Sequence, residues 1–463
     1  MEKTATAPTE PNATARTVTA PMALATGPMV TELPAMEPMA TALRTATGRM
    51  AARTVTEPTR ARSKDNKAPT TLSELLEPLS LSDLFKAFGE TYLYVPGPKG
   101  KFSALFPWEV LNTALRQHRL NYPRLRIFRD GKLVPTSEYS KLSVGRKDRS
   151  TASRLMPAEL IAQLQSGGTL VVDAVDEIYE PLTALAESLE RELREKIQIN
   201  LYAGWHTSPG FDVHWDGHDV IVLQLAGRKS WAIYGETRKH PLANDIVNDK
   251  MPPSEPIWSE TISDGDLLYI PRGFWHVATP LDEPSLHLTV GIPNRTGIDL
   301  MTWFAQRLRN VEAFRRDLPK FKCKEEREAH LRTLFDTVRE QLDTRLVDEF
   351  FSEHDANAIP RVSLNLPEIA TKGSLTDLLG RRFVLATPRN LTLVEEGDLV
   401  RVKVNGKTFR FKKEARELLA SLNDRRPMTV DELVARSSGL DRKTVAAFIK
   451  ELLSFGLITA VSE

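Results

Sequence analysis

The chain has 463 residues, 41% of them hydrophobic, which is enough for about two or three domains with cores of their own. Its 62 Lys and Arg residues nearly balance its 61 Asp and Glu residues, so we do not expect direct nucleic-acid binding, and any such partner requires a local basic patch. The single cysteine, Cys323, excludes an internal disulfide and a cysteine-rich zinc site, and no apolar run is long enough to span a bilayer. These features predict a cytoplasmic protein without a membrane partner, whose metal ligands would be His and carboxylate side chains.

Residues 1–70 form a low-complexity N-terminal segment. They contain no Phe, Tyr, Trp, Ile or Cys, and ARTVTAP at 15–21 returns as ARTVTEP at 52–58. A segment with so little apolar surface to bury is predicted to be disordered.

Folded structure is predicted to begin near Thr71. SLSDLFKAFG, starting at Ser80, has the pattern of a capped helix, and a short strand is predicted at TYLYVPG. In RLRIFRDGKLVP, Asp130-Gly131 is typical of a tight hairpin turn. Residues 157–197 are predicted to be helical. From 197 to 293, short apolar or alternating runs separated by Gly, Pro and Asp indicate an all-β barrel or sandwich.

Helices return at residues 299–350. Leu331, Leu334, Val338 and Leu342 form one stripe, which suits either a dimer interface or a helix packed on its own domain. Farther on, Thr429 to Glu432 form a capping box for a helix through Arg436, and Asp441 caps a second helix that ends near Gly456. Two helices joined by a tight turn and followed by the apolar LITAV strand resemble a winged helix.

The stretch FDVHWDGHD, at 211–219, is rich in potential metal ligands. On a strand, its alternate polar residues would point to the same side: Asp212, His214, Asp216 and His218. The spacing of His214 and His218 also suits a zinc-binding helix, but Gly217 and the β-rich surroundings disfavour one. We therefore interpret His214 and Asp216 as two ligands that need a further histidine from a neighbouring strand.

His276 is the candidate for that third ligand. It lies in DGDLLYIPRGFWHVATP, an apolar strand, a turn and a returning strand that would close back over the barrel. Its rival is His287 in SLHLTVG, which we interpret as a pocket or packing residue. Two histidines and one carboxylate on one face of an octahedron are typical of non-haem Fe(II) sites and leave the opposite face for substrate and O2.

HWD at 214–216, VIVLQLAGRKSWAIYG and GDLLYIPRGFWH together resemble the HxD…H core of the JmjC family of 2-oxoglutarate oxygenases, in particular its ribosomal-oxygenase branch, which is similar to bacterial cupin-4 proteins. The resemblance implies a mainly β jelly-roll (double-stranded β-helix) core with flanking helices, a helical dimerisation region and a C-terminal winged helix. The implied divisions are 1–70 (disordered), 71–296 (oxygenase), 297–360 (helical) and 361–463 (winged-helix-like).

The co-substrate 2-oxoglutarate needs a cation for its second carboxylate, and Lys229 and Arg228 compete for this role. Trp231 and Ile233 share the parity of Lys229, and this larger apolar set is expected to face the interior. The resemblance also implies a cation fifteen residues after the first ligand histidine, which is Lys229. Asn200, Tyr202 and Thr289 are further candidates for contacts to the co-substrate.

The resemblance implies an Fe(II)- and 2-oxoglutarate-dependent dioxygenase that uses O2 to hydroxylate a side chain of a protein or peptide, with a ribosomal protein as a candidate substrate. A homodimer is also expected. Three alternatives remain open: a JmjC N-methyl-lysine demethylase, a DNA-binding regulator with a cupin sensor domain, and a metal-binding barrel without oxygenase activity, which the intact triad and Lys229 disfavour. For the regulator, the second C-terminal helix offers Arg442, Lys443 and Lys450, but its apolar residues favour packing within the domain.

Overall fold

The computed structural model describes residues 68–144, 151–242, 245, 252–370 and 380–461. Nearly all of the segment predicted to be disordered therefore lies outside the described residues. The described helices are α1 (Leu72–Leu76), α2 (Leu81–Ala87), α3 (Trp108–Gln117), α4 (Pro157–Gln165), α5 (Glu180–Leu193), α6 (Gly297–Leu308), α7 (Glu312–Arg315), α8 (Lys324–Gln341), α9 (Leu346–Ala356), α10 (Arg416–Leu422), α11 (Val430–Ala435) and α12 (Arg442–Ser454). Within these ranges, no helix combines the length and apolar character that a membrane crossing requires.

The described strands are short and antiparallel. They are β1 (Leu93–Val95), β2 (Leu125–Arg129), β3 (Lys132–Leu133), β4 (Ser140–Val144), β5 (Thr151–Leu155), β6 (Thr169–Val172), β7 (Gln198–Gly204), β8 (Asp219–Ala226), β9 (Arg228–Glu236), β10 (Trp258–Ser263), β11 (Leu267–Ile270), β12 (Phe274–Pro280), β13 (Ser285–Ile292), β14 (Arg382–Leu385), β15 (Leu393–Glu396), β16 (Leu399–Val404), β17 (Lys407–Lys412) and β18 (Ile458–Val461).

Two sheets form the β core. Eight strands pair in the order β1-β11-β8-β13-β7-β6-β2-β3, and three more in the order β10-β9-β12. Alternate residues of β8 enter different cores: Val222 packs with Trp231 and Ile262 of the small sheet, whereas Leu223 packs with the helix-covered core on the opposite face. Because β8 is buried on both faces, its apolar run is nearly continuous. The expected antiparallel β core with flanking helices is confirmed.

The prediction that residues 157–197 are helical is confirmed for α4 and α5 but was wrong between them. Strand β6 lies between α4 and α5 and pairs with β2 and β7. After α4 the backbone at Gly168 passes close to the last turn of the helix. An added Cβ there would lie 2.7 Å from the Gln163 carbonyl oxygen, so only glycine fits where the helical segment ends. All four residues of β6 are buried, because the strand lies inside the large sheet.

Several local predictions are confirmed. Asp130 and Gly131 connect β2 to β3 with φ angles of 51° and 73°, as a tight hairpin turn requires. Ser80 caps α2, Thr429 forms the capping box of α11, and Asp441 caps α12.

The segment predicted as helical at 299–350 contains four helices, α6 to α9, and the predicted stripe runs along α8 to Leu342, the residue that follows it. On α8, Val338 packs against a small core that includes Phe304 and Leu346. Leu331 and Phe335 of the same helix are 45% and 63% exposed. One part of the helix therefore packs on its own domain, whereas the other is open.

The C-terminal residues enclose a separate apolar core. Strands β15, β16 and β17 form a meander, and β14 pairs with β18. Helix α12 buries Val445, Ile449, Leu452 and Leu453 in this core. Arg361, which precedes these elements, pairs with Asp176 and Glu190 of the β-core region.

Candidate metal centre and co-substrate pocket

Backbone pairing brings the two candidate ligand histidines together. The amide of His214 donates to the carbonyl of His276 at 3.1 Å, and the amide of His276 donates to the carbonyl of His214 at 2.8 Å. The amide of Gly273 donates to the carbonyl of Asp216 at 2.9 Å. In a doubly hydrogen-bonded antiparallel pair, opposite residues place their side chains on the same side. Both imidazoles therefore face one point.

The ligand atoms of His214, Asp216 and His276 all lie within 4.8 Å of one another. The Nδ1 atom of His214 lies 2.8 Å from the carbonyl oxygen of Asp212, and Nδ1 of His276 lies 2.9 Å from that of Phe274. A carbonyl oxygen only accepts, so each Nδ1 donates and each Nε2 keeps its lone pair for a metal. This donor set fits a divalent iron ion, with the other coordination positions left to co-substrate and O2.

His214 and Asp216 converge as predicted, but the segment that contains them is not the strand that was expected. Between β7 and β8 this segment turns, and its one described pairing is the bridge of His214 to His276. Asp212 packs against Gly131 of the β2–β3 hairpin, and His218 packs against Gly291. Parity fails here because it presumes a continuous strand.

Asp219, the last residue of the motif, serves the fold. It is fully buried and accepts hydrogen bonds from the Tyr269 hydroxyl at 2.6 Å and from the Arg272 amide at 3.0 Å. These bonds hold the turn that leads into β12, and so they help to position His276.

The electrostatics of the cluster favour a charged Asp216 carboxylate beside a neutral His276 imidazole. Burial by itself would raise the pKa of Asp216, but the histidines around it, His214 foremost, outweigh burial and hold that pKa below its usual value. Burial, and next the charge of His214, lower the pKa of His276 to about 4. At neutral pH these two residues are thus in the protonation states that bind a metal.

The cluster opens into a pocket of about 240 Å³ that also contains Lys229. On β9, Lys229, Trp231 and Ile233 are buried while the residues between them are more exposed. Ile233 lies opposite His276, and Lys229 lies opposite Pro280 at the other end of the pairing. The four-residue offset spans about 13 Å along the strand, which leaves room between the metal ligands and the ammonium group for a short dicarboxylate.

Lys229 is an uncompensated cation. It is 3% exposed, and burial lowers its pKa from 10.5 to about 7. Among the described residues it makes no hydrogen bond or ion pair. Burial, followed by the charge of Lys229, keeps the pKa of His287 well below its ordinary value, so this neighbour is neutral and does not balance the charge. An anion in the pocket would restore the balance.

The same pocket is lined by the further candidates for contacts to the co-substrate, Asn200, Tyr202 and Thr289. Thr289 on β13 lies opposite Asn200 on β7, and His287 lies opposite Tyr202. The Tyr202 and His287 rings stack with centroids 4.9 Å apart, and Tyr202 is hydrogen-bonded to Thr289. The side-chain oxygen of Asn200, Oδ1, accepts a hydrogen bond from the Ala174 amide at 3.0 Å. The side-chain nitrogen of Asn200, Nδ2, therefore remains available for a ligand.

His287 lies in the pocket but outside the three-residue ligand cluster. Its Nδ1 atom is buried without a hydrogen-bond partner among the described residues.

Sequence reasoning missed some of the pocket wall. Arg126 on β2 and Phe211 line the pocket, and Arg126 pairs with Asp173 at 2.6 Å. Because β2 is remote in sequence from the ligand motif, no local signal marks Arg126. The aromatic character of Phe211, directly before the ligand motif, was the one available signal for that residue.

Fold and site together define the class of protein: an antiparallel JmjC/cupin β core with two histidines and one aspartate at one end of a buried pocket. Residues 176–300 match the family model described as JmjC domain. This part of the chain is therefore similar to a JmjC domain, as its motifs predicted.

Particular relatives are found among curated proteins. The bifunctional lysine-specific demethylase and histidyl-hydroxylase NO66 of Drosophila pseudoobscura pseudoobscura is 26% identical over 226 residues, which cover 48% of this chain and 22% of that protein. The protein of the same name from Dictyostelium discoideum is 27% identical over 270 residues, covering 55% of this chain and 50% of that protein. The chain thus matches at most half of the length of either relative.

Solved structures extend the likeness over most of the chain. YcfD, a ribosomal oxygenase from Escherichia coli, in complex with cobalt and succinic acid superposes with a TM-score of 0.52 at 19% identity, covering 83% of this chain and 99% of that chain. Its complex with cobalt and 2-oxoglutarate gives 0.50 at 19% identity with the same coverage. At this identity the likeness shows a shared fold.

Proposed function

We propose that this protein is an Fe(II)- and 2-oxoglutarate-dependent dioxygenase that hydroxylates an amino-acid side chain of a protein, with a ribosomal protein as the first candidate substrate. The observation that carries the proposal is one pocket holding His214, Asp216 and His276 at one end and the buried cation Lys229 at the other. The geometry is that of a site for a metal-chelating dicarboxylate.

When bound, iron supplies the oxidation of a C–H bond by O2, coupled to decarboxylation of the co-substrate. His214, Asp216 and His276 hold the ion through two Nε2 atoms and one carboxylate. Lys229 pairs with the far carboxylate of 2-oxoglutarate, which removes the cost of its buried charge. Asn200, Tyr202 and Thr289 donate hydrogen bonds that orient the co-substrate.

Apolar walls protect the reaction. Trp231 and Ile270 line the pocket beside the ligands and are 4% and 2% exposed. They exclude water, which strengthens the ion pair at Lys229 and prevents unproductive hydrolytic side reactions.

The choice of a protein substrate rests on the relatives. NO66 is named as a histidyl-hydroxylase and a lysine-specific demethylase, and YcfD as a ribosomal oxygenase. N-methyl-lysine demethylation, which uses the same iron chemistry on an N-methyl group, is the second candidate function. Mass spectrometry separates the two, because hydroxylation adds one oxygen atom to the target and demethylation removes a methyl group.

Anaerobic titration with Fe(II) and 2-oxoglutarate tests the proposal. We expect the weak visible charge-transfer band of the iron chelate, and subsequent production of succinate in air. Asp216→Ala is expected to abolish both, whereas Asp212→Ala, whose side chain lies against the hairpin, is the matched control and is expected to keep both. Iron-loaded wild-type protein without the band, or normal succinate production by Asp216→Ala, would refute the assignment.

We further propose the division 71–296, 297–360 and 361–463, with a homodimer formed through the middle part and a winged-helix-like C-terminal part. The exposed apolar side chains on α8 support the dimer. For the DNA-binding alternative, Arg442 on α12 pairs with Asp431 at 2.7 Å, and the apolar side of α12 is buried in its own core. These contacts support a packing role for that helix. A cytoplasmic location is part of the same proposal.

A further inference from the structure

A second, larger cavity lies away from the metal cluster, between the helices of the middle part and the C-terminal strands. It encloses about 1210 Å³ and is lined by eight cationic and five carboxylate side chains. The cavity extends from Arg191 on α5 and Trp303 on α6 to Arg401 and Lys403 on β16. The chain as a whole is nearly neutral, so this cationic cleft is a local basic patch.

Several cations of the cleft are already neutralised by neighbours. Arg389 and Arg194 share the carboxylate of Asp355, at 2.9 and 2.6 Å, and Lys403 pairs with Glu353 at 3.2 Å. These pairs build the walls of the cleft.

Arg191 and Arg425 are different. Arg425 donates to three neutral acceptors, Asn390 Oδ1 at 3.0 Å and the carbonyls of Leu385 and Thr387 at 3.3 and 2.8 Å. Arg191 makes no hydrogen bond or ion pair with any described residue. Both side chains also line a smaller neighbouring cavity, so they stand where the two cavities meet.

The two guanidinium groups repel each other. Burial, followed by the charge of Arg191, lowers the pKa of Arg425 to about 10, and Arg389 adds to the repulsion. Burial raises the pKa of Glu187, the carboxylate that faces them, although the charges of Arg191 and Arg361 oppose this effect. Eight cationic side chains against five carboxylates still leave the cleft with an excess of positive charge, which an anionic ligand would balance.

We propose that Arg191 and Arg425 form a phosphate-binding site within the cationic cleft, beside Arg389, whose charge is only partly balanced because it shares Asp355 with Arg194. A phosphate ester presents several acceptor oxygens to planar guanidinium donors and carries the missing negative charge. The cleft is much larger than a single ion, so the ligand is a phosphate on a larger body, either a free nucleotide or the backbone of RNA. The site is independent of the metal centre and of the oxygenase function proposed for it.

The test measures binding by the full chain without iron. A labelled single-stranded RNA oligonucleotide is titrated by fluorescence anisotropy, and AMP and inorganic phosphate are titrated by calorimetry. Arg191→Gln is expected to weaken binding by about tenfold or more, as loss of a charged hydrogen bond does. If RNA binds, log affinity should depend less steeply on log salt for Arg191→Gln than for wild type. The difference in slope should correspond to about one phosphate contact. Arg332→Gln, on exposed α8 outside the cleft, is the control and should bind like wild type.

The three probes distinguish a nucleic-acid ligand from a free nucleotide. Binding of RNA alone assigns the phosphate to a nucleic-acid backbone, and comparable binding of AMP assigns it to a nucleotide. Arg191→Gln should also unfold at the same temperature as wild type or higher, because it removes a partly buried charge whose burial outweighs its attraction to Glu187, Glu192 and Glu190. Absence of binding by all three probes, equal weakening by Arg332→Gln, or a lower unfolding temperature with unchanged binding for Arg191→Gln overturns the proposal.

Discussion

Lys229→Met is expected to stabilise the protein when no co-substrate is bound. Lys229 is 3% exposed, and burial lowers its pKa from 10.5 to about 7. At about 1.4 kcal/mol per pKa unit, the buried ammonium group costs about 5 kcal/mol of folding free energy at pH 6 as an upper limit. Methionine is unbranched like lysine, one heavy atom shorter and uncharged, so it removes this cost.

The pH dependence gives the prediction its sign. Between pH 7 and pH 10.5 the unfolded chain binds a proton at Lys229 that the folded protein has lost, so the stability of the wild type rises with pH in this window. Below pH 7 both states are protonated and the full cost is present. The advantage of Lys229→Met should therefore be largest near pH 6 and nearly gone near pH 10.5.

Urea unfolding of the wild type and Lys229→Met at pH 6 and pH 10 measures the difference in their unfolding free energies. Other titrating groups are the same in both proteins, so their contributions cancel. Lys132→Met, at an exposed position on β3, controls for loss of a lysine charge. Millimolar 2-oxoglutarate, added to both proteins after loading with Fe(II), should stabilise the wild type further and leave iron-loaded Lys229→Met nearly unchanged. The reasoning is refuted if Lys229→Met is less stable than wild type at pH 6, or if its advantage does not depend on pH.

Two further predictions concern the fold and assembly. Arg361→Gln should lower the unfolding free energy by about 3–5 kcal/mol in denaturant titrations, because it leaves the buried carboxylates of Asp176 and Glu190 without their partner; a loss below about 1 kcal/mol would contradict a stabilising network. Phe335→Asp on α8 should convert the proposed homodimer to monomer in analytical ultracentrifugation, whereas Phe85→Asp, at an exposed position on α2, should not; a wild-type monomer at micromolar concentration would remove the basis of the dimer.

Much of the fold could be predicted because its signals are local. The caps at Ser80 and Thr429 and the Asp130-Gly131 turn depend on hydrogen bonds and φ angles within a few residues. The inward direction of Lys229 followed from the two-residue period of β9, which holds because that strand is continuous. Strand β6 was missed because its four residues are a strand only through pairing with β2 and β7.

The sequence by itself supplied the residue types and spacing of the ligand motif. It also supplied the alternation of buried and exposed residues along β9 and the helix boundaries that capping residues mark. The sequence favoured His276 over His287 as the third ligand, but only the tertiary structure brought His276 beside Asp216, through the reciprocal amide bonds of His214 and His276. The tertiary structure also brought Arg191 and Arg425, from distant parts of the chain, to the wall of one cleft. Spacing along the chain reports the periodicity of one backbone segment, whereas these arrangements depend on which remote segments pair and on which charges are buried together.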